Sequence, residues 1–243
     1  MAYLTVCTPT YNRAYILRRP FESLLKQTFK DFEWLIIDDG SSDNTESLVK
    51  EFIEQADFPI KYVSKPNGGR ASALNESYQH IHTEYVINLD SDDELVPDAL
   101  EKIYHAWESI PENERERFWC VVGHCVDQNG NRIGGDWPED INEKKGKAQH
   151  KVVTRHKGGE KSCCRKTSIL RQYPFPQYPD TNFVPENIVW EKINQKFDQY
   201  CVNEVFRVYH TGTSDSLTSG KSFNKIRRIS YYYLSLFYLN ECF

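Results

Sequence analysis

The sequence predicts an α/β fold built on a doubly wound, mostly parallel sheet, with a less regular second half and a C-terminal helix. Three observations carry that expectation. Strand-like and helix-like stretches alternate from Tyr3 to Ser109, the order that builds parallel crossover units. The strand-like stretches are continuously apolar, as strands buried on both faces are. Two acidic segments, Asp38-Asp39 and Asp90 to Asp93, directly follow such stretches, at the strand ends where open α/β sheets bind ligands.

Tyr3 to Thr8 reads as the first strand, broken by Pro9. Tyr15 to Gln27 then sets Ile16, Leu17, Phe21, Leu24 and Leu25 at helical spacing. Phe32 to Ile37 is the second strand, and Asp43 is placed to cap a helix over Thr45 to Gln55. Ile60 to Ser64 is the third strand. Asn67-Gly68-Gly69 signals a turn before a helix over Ala71 to His80. Glu84 to Leu89 is the fourth strand, and Pro97 suits the first turn of a helix ending near Ser109. Beyond it, Phe118 to Val126 is strand-like, with a hairpin signal at Asn129-Gly130-Asn131 and a return over Arg132-Ile133. Gly134 to Lys161 reads as a basic loop, Val184 to Phe197 as a helix, Tyr200 to Tyr209 as a strand and Asn224 to Leu239 as a last helix. Residues 1–110 are thus expected to form a ligand-binding half, 111–220 a second half of the same domain, and 221–243 the C-terminal helix.

Composition narrows the function. Of 243 residues, 39% are apolar and 27% charged, enough for a real core and against global disorder. A formal net charge of -5 gives no electrostatic basis for a nucleic-acid partner. The seven cysteines are odd in number and contain no CxxC pair, so they read as reduced thiols and not as a zinc site. No basic-then-apolar leader pattern opens the sequence, and no apolar run reaches the ~18 residues of a membrane span. The expected location is cytoplasmic. Lys221, Lys225, Arg227 and Arg228 precede the aromatic-apolar stretch Tyr231 to Leu239. That pattern fits either a helix docked on the domain or peripheral attachment to a membrane face.

The acidic run Asp90-Ser91-Asp92-Asp93-Glu94 admits three readings. A solvated cap for the next helix accounts for Glu94 and Asp98 but not for three aspartates at a strand end. A calcium loop fails because Leu95 stands where such a loop needs glycine. The third reading is a divalent metal site holding a diphosphate, because Mg2+ or Mn2+ takes carboxylate oxygens and completes its shell with phosphate and water.

Five segments together resemble the family 2 glycosyltransferases of the GT-A fold. They are Val6-Cys-Thr-Pro-Thr-Tyr-Asn-Arg13, Gln27-Thr28, Leu35-Ile-Ile-Asp-Asp-Gly-Ser-Ser-Asp43, Asn67-Gly-Gly-Arg-Ala-Ser-Ala-Leu-Asn75 and Leu89-Asp-Ser-Asp-Asp-Glu-Leu95. Their order and spacing match from residue 3 to about 108. The resemblance implies a nucleotide-sugar donor, with Thr8, Pro9, Tyr11 and Arg13 lining the nucleotide pocket. Asp38 would accept the pyrimidine N3–H, with Asp39 beside it, and a carboxylate that only accepts suits uracil or thymine. Arg70 would approach the donor. Asp90, with Ser91 next to it, would contact the ribose or the metal; Asp92 is the foremost metal ligand, and Asp93 supports the sugar or the metal shell. Phe183-Val-Pro-Glu-Asn-Ile-Val-Trp190 resembles the family's acceptor-side acidic motif. Many members carry Glu-Asp there; here the pair is Glu186-Asn187, which leaves Glu186 as the one carboxylate able to act as general base.

Other residues are open to two readings. Arg207 and His210 follow a strand toward the same sheet end, His210 as a metal ligand or a structural histidine. His80 and His82 do not share a helix face and read as surface residues. The basic loop is a solvated segment or a lid over phosphate. The expectation is therefore an inverting transfer from a UDP-sugar, with Mn2+ or Mg2+, to a glycan or lipid-linked acceptor. The alternatives are a non-catalytic sugar-nucleotide or partner-binding module and a nucleotidyltransferase. The latter lacks its Gly-rich, Lys-containing loop, and a dinucleotide oxidoreductase lacks its GxGxxG.

Overall fold

A computed structural model describes residues 2–155, 159–210, 229, 231–236 and 239. The first half runs β1 (Leu4–Thr10), α1 (Arg18–Leu25), β2 (Phe32–Asp38), α2 (Thr45–Gln55), β3 (Ile60–Ser64), α3 (Arg70–His80), β4 (Tyr85–Asn88), β5 (Glu94–Leu95) and α4 (Ala99–Ser109). A 3-10 turn over Glu112–Arg117 leads into β6 (Phe118–Asp127). Then come β7 (Arg132–Ile133), α5 (Lys147–Arg155), β8 (Lys161–Lys166), α6 (Thr167–Leu170), α7 (Asn187–Asn194) and β9 (Asp198–Tyr209).

One sheet contains every strand, in the order β3-β2-β1-β4-β8-β6-β9-β5, with β7 beside β6. The first four strands are parallel, and reversal of order about β1 makes that half doubly wound. The second half extends the sheet with both senses: β8 runs antiparallel to β4 and β6, whereas β6 and β9 are parallel. Leu4, Val6, Trp34, Ile36 and Ile87 pack one face against α1, α2 and α4. Cys7, Leu35, Ile37 and Val86 pack the other against α3, α6 and α7. Both faces are covered, which is why these strands carry no polar alternation.

Two local devices place the strand ends. Asp43 accepts from the backbone N–H groups of Thr45 (3.1 Å) and Ala14 (3.0 Å), so it caps α2 and holds the loop after β1 at once. Gln27 donates to the Ser23 and Val96 carbonyls and accepts from Leu100 N–H, tying α1 to the segment between β5 and α4.

The second half departs from expectation at several places: β8 and α6 occupy a stretch to which the sequence assigned no element. The stretch 134–161 is not loop throughout, because Lys147–Arg155 is α5. Gln149 is buried there, donating to the Gln199 carbonyl and accepting from Gln199 N–H, so a polar side chain docks the helix on β9. Few apolar residues mark such an interface, and periodicity alone missed it. Toward the C-terminus, residues 231–236 are helical; Leu234 is buried, and Tyr233 stacks on Tyr178 at 3.7 Å and donates to Asp180. The basic residues Lys221, Lys225, Arg227 and Arg228 lie outside the described residues.

Candidate functional site

Four loops follow the carboxyl ends of β1 to β4. Asn12 adopts φ +52° in the first loop, and its backbone N–H donates to Ser41 Oγ while its Oδ1 accepts from Ser42 N–H. The loops after β1 and β2 are thereby stitched together. Asp38 is buried; Oδ1 accepts from Ser41 N–H at 2.8 Å and Oδ2 from the Tyr62 hydroxyl at 2.5 Å. Burial and that carboxylate together push the Tyr62 phenol well above its ordinary pKa. Asp39 is more heavily engaged. It accepts from Lys65 Nζ (2.8 Å) and from the backbone N–H groups of Gly68 and Gly69, the latter at 2.7 Å. Since Gly69 immediately precedes α3, Asp39 holds the backbone that leads into Arg70.

Three arginines converge on the acidic run, each from a different element. Arg13 Nη1 reaches Asp92 Oδ2 at 2.7 Å and Ser91 Oγ at 3.3 Å. Arg70 Nη2 reaches Asp90 Oδ1 at 2.7 Å. Arg207 arrives because β5 pairs antiparallel with β9, setting Leu95 opposite Arg207. Its guanidinium lies 3.3 Å from Asp90, 3.5 Å from Asp93 and 2.6 Å from Glu160. Arg19 adds a bond to the Asp92 carbonyl at 2.5 Å. Like charges this close resist ionising together unless compensated. Burial opposes ionisation of Asp90, but Arg70 and Arg207 outweigh it and hold its pKa down to about 2. Asp93 differs: burial dominates over Arg207, with Asp90 adding repulsion, and its pKa is pushed up to about 7.

On the far side of Arg70 stands Glu186, immediately before α7. Its Oε1 pairs with Arg70 Nη1, and its Oε2 accepts from Trp190 Nε1 at 3.1 Å. One guanidinium thus bridges the acidic run and Glu186.

The family model for glycosyl transferase family 2 matches residues 5–171. The chain belongs to that family. The glycosyltransferase is 29% identical over 234 residues to a Campylobacter jejuni GalNAc(5)-diNAcBac-PP-undecaprenol beta-1,3-glucosyltransferase, covering 93% of the chain and 71% of the relative. It is 34% identical over 145 residues to a Pasteurella multocida chondroitin synthase, covering 58% of the chain but only 14% of that much longer protein. Among solved structures, S. aureus TarS in complex with UDP-GlcNAc superposes with a TM-score of 0.68 at 17% identity, covering 99% of the chain and 67% of TarS. Glucosyl-3-phosphoglycerate synthase from Mycobacterium tuberculosis, in complex with Mn2+ and UDP, gives 0.60 at 14% identity, covering 97% of the chain and 80% of the synthase. These likenesses share the GT-A fold.

Of the residues singled out from the family-2 motifs, Arg70, Asp90, Asp93 and Glu186 are linked through Arg70 and Arg207, and Arg13 meets Ser91 and Asp92 of the same acidic run. Tyr11, at 49% exposure, stands on the loop after β1, whereas half-buried Pro9 lies within β1, which runs on to Thr10 and is not broken there. Thr8 does not join them: it is fully buried, and its hydroxyl accepts from Trp34 Nε1 at 2.9 Å in the core. His210 lies beside the acidic run with its ring 2.7 Å from Glu94 and its backbone N–H on Asp93. His80 pairs with Glu76 one helical turn away. Sequence reasoning missed Arg19, Lys65 and Tyr62. Lys65 and Tyr62 flag themselves only as polar residues at the end of a parallel strand, a weak signal.

The donor set for a divalent cation is two carboxylates. Among the described residues no three His, Cys, Asp or Glu side chains are grouped to hold an ion by themselves. Mg2+-type sites need no more than one or two carboxylates when phosphate oxygens complete the shell. Asp92 and Asp90 fit that requirement. The His210 ring, engaged with Glu94, would have to exchange partners to join them.

Proposed function

We propose that this glycosyltransferase moves a hexosyl or N-acetylhexosaminyl group from a UDP-sugar to an acceptor hydroxyl, with inversion at the anomeric carbon. The observation that carries the reading is that Arg70 meets Asp90 on one side and Glu186 on the other, while Arg13 meets Asp92 in the same acidic run. Arginine forks suit diphosphate oxygens, which would replace the carboxylates as partners. Asp38 accepts two hydrogen bonds of the roughly four that a carboxylate takes, leaving lone pairs for the uracil N3–H. Tyr11 and Pro9 would flank the base. Bound Mn2+ or Mg2+, on Asp92 and Asp90, supplies positive charge to the departing diphosphate.

Glu186 is the general base. Asn187 beside it is exposed, and an amide takes no proton. The acceptor oxygen loses its proton to Glu186 and attacks from the face opposite the diphosphate. Residues 1–110 hold the donor and 111–220 frame the acceptor. The Campylobacter relative's name, that of a lipid-linked glycan glucosyltransferase, supports an acceptor of that class. Tyr231, Tyr232 and Leu239 are exposed, which supports peripheral contact with a membrane face bearing such a lipid. No helix among the described residues is long and apolar enough to cross a membrane.

The test is calorimetric titration of UDP with and without Mn2+, on wild type and Asp92→Asn. Binding that needs both the metal and Asp92 is expected. Binding indifferent to Mn2+ would remove the metal reading, and absence of binding would remove the uridine donor.

A further inference from the structure

We infer that Arg70 is an interlock: it holds Glu186 in an ion pair, and the donor diphosphate withdraws it to release the base. This rests on the donor-site reading above.

Arg70 is shared by two carboxylates that belong to opposite substrates. Nη2 is on Asp90 at 2.7 Å and Nη1 is on Glu186. Its side chain is 29% exposed, so a ligand entering the crevice reaches it. Its backbone, in contrast, cannot drift. Asp39 grips the N–H groups of Gly68 and Gly69 just ahead of it. Gly69 adopts φ +83°, and a Cβ there would lie 2.3 Å from the Asn182 carbonyl oxygen. The α3 N-terminus therefore packs directly on the segment that leads to Glu186. The anchor is fixed and only the guanidinium is free to choose a partner.

The two carboxylates lose unequally when Arg70 leaves. Asp90 keeps Arg207, a residue only 5% exposed and locked between Asp90, Asp93 and Glu160. Among the described residues, Glu186 keeps only the neutral Trp190 N–H. Withdrawal of Arg70 thus leaves the acidic run compensated but leaves Glu186 without a cation. A guanidinium paired with a carboxylate favours its ionised form, which weakens it as a base. A doubly ionised diphosphate is a stronger partner for an arginine fork than either carboxylate. With Arg70 so engaged, Glu186 Oε1 takes the acceptor hydroxyl proton. The oxygen bonds to the anomeric carbon, and the carbon–oxygen bond to the diphosphate breaks with its electron pair on the departing nucleoside diphosphate.

The interlock is read by chemical labelling of Glu186 in the full chain. Carbodiimide with glycine ethyl ester modifies carboxyl groups, and peptide mass spectrometry quantifies Glu186 with and without UDP and Mn2+. Calorimetry on the same samples records UDP binding. UDP is expected to raise Glu186 labelling roughly tenfold in wild type, the factor set by removing one adjacent cation. Arg70→Gln should be labelled at the high level in both conditions, and Arg70→Lys should fall between. Bound UDP with unchanged or reduced Glu186 labelling in wild type overturns the interlock while leaving the donor site intact. Equal labelling of ligand-free wild type and Arg70→Gln overturns it as well. Absence of UDP binding removes the donor-site reading, and the interlock falls with it.

Discussion

Gly69→Ala is the sharpest perturbation of the site's scaffold. Gly69 sits at φ +83°, ψ 168°, a region open essentially to glycine alone. Holding alanine there costs about 1–3 kcal/mol in backbone strain. The new Cβ would also stand 2.3 Å from the Asn182 carbonyl oxygen and 3.1 Å from its carbon. Backbone does not yield as a flexible side chain does, so overpacking adds about 1–3 kcal/mol. The sum is about 2–6 kcal/mol, a large share of the ~5–15 kcal/mol by which a domain is stable. At ~2–4 °C per kcal/mol for a chain of this size, the melting temperature should fall by at least about 4 °C. Gly130→Ala is the matched control. It has nearly the same φ, +82°, but nothing within 4 Å of its Cβ position. It should therefore cost only the left-handed strain, about 1–2 kcal/mol. Urea unfolding monitored by tryptophan fluorescence and far-UV dichroism measures both variants. If Gly69→Ala costs no more than Gly130→Ala, the close approach of α3 to the Glu186 segment is not what the backbone conformation serves.

Asp92→Asn should abolish Mn2+-dependent UDP binding while changing stability by less than about 1 kcal/mol, since its pair with Arg13 is partly solvated; calorimetry and urea unfolding separate the two. Glu186→Gln removes basicity at constant size and should lower kcat by about 10²–10⁴ with UDP binding kept; wild-type turnover in that variant would eliminate Glu186 as the base. His124 is buried beside Lys161, and burial first, then that cation and Arg132, hold its pKa below the usual 6.5. The unfolded chain then takes up the proton first, so this contribution to stability is complete above about 6.5 and declines as pH falls from there toward the folded-state value. Urea midpoints measured from pH 7.5 to 5 should show the decline in wild type and a flatter profile in His124→Gln. Anionic vesicles should retain the full-length protein at low salt and release it at high salt if its basic, aromatic C-terminal stretch touches membranes; no retention at low salt refutes that attachment.

The parallel half was legible because its strands are covered on both faces. Trp34, Ile36 and Leu35, Ile37 look to opposite sides, so no polar residue interrupts the run, and β2 could be placed to within a residue. The place of the acidic run was equally legible: the three aspartates were expected directly past the fourth strand, and β4 ends at Asn88. What stayed hidden depends on pairing across long sequence distances. Arg207 joins Asp90 only through the β5–β9 ladder, which involves a two-residue strand. Lys161–Lys166 enters the sheet between β4 and β6 with the sequence KSCCRK, whose charged ends mask it. Thr8 misled for a related reason. Strand residues alternate faces, and a single position inside a motif decides whether a hydroxyl meets the crevice or, as here, Trp34.

The electrostatics of the crevice impose a sequence of partners. Four carboxylates cannot stand together beneath a sheet end without cations, and the empty site meets that need with arginines drawn from the first loop, α3 and β9. A diphosphate brings further negative charge into the same space, which would be repelled if those arginines stayed with the aspartates. Admission of the donor therefore requires that at least one arginine change partner and that a new cation replace it at the aspartates. Arg13 and Arg70 are the partly solvated ones, at 14% and 29% side-chain exposure, while Arg207 at 6% is locked. The two partly solvated arginines are the ones open to exchange with an incoming ligand, and Arg207 is not. A divalent ion taking the place of Arg13 on Asp92 would keep the charge balanced throughout. That exchange predicts that Mn2+ and UDP bind cooperatively, each weakly alone, and that Arg13→Gln raises affinity for Mn2+ in the absence of nucleotide while lowering it for UDP. Calorimetric titrations of each ligand with and without the other measure both quantities. Independent, additive binding of Mn2+ and UDP to wild type would show that the arginines do not exchange and that the carboxylates bind metal by another arrangement.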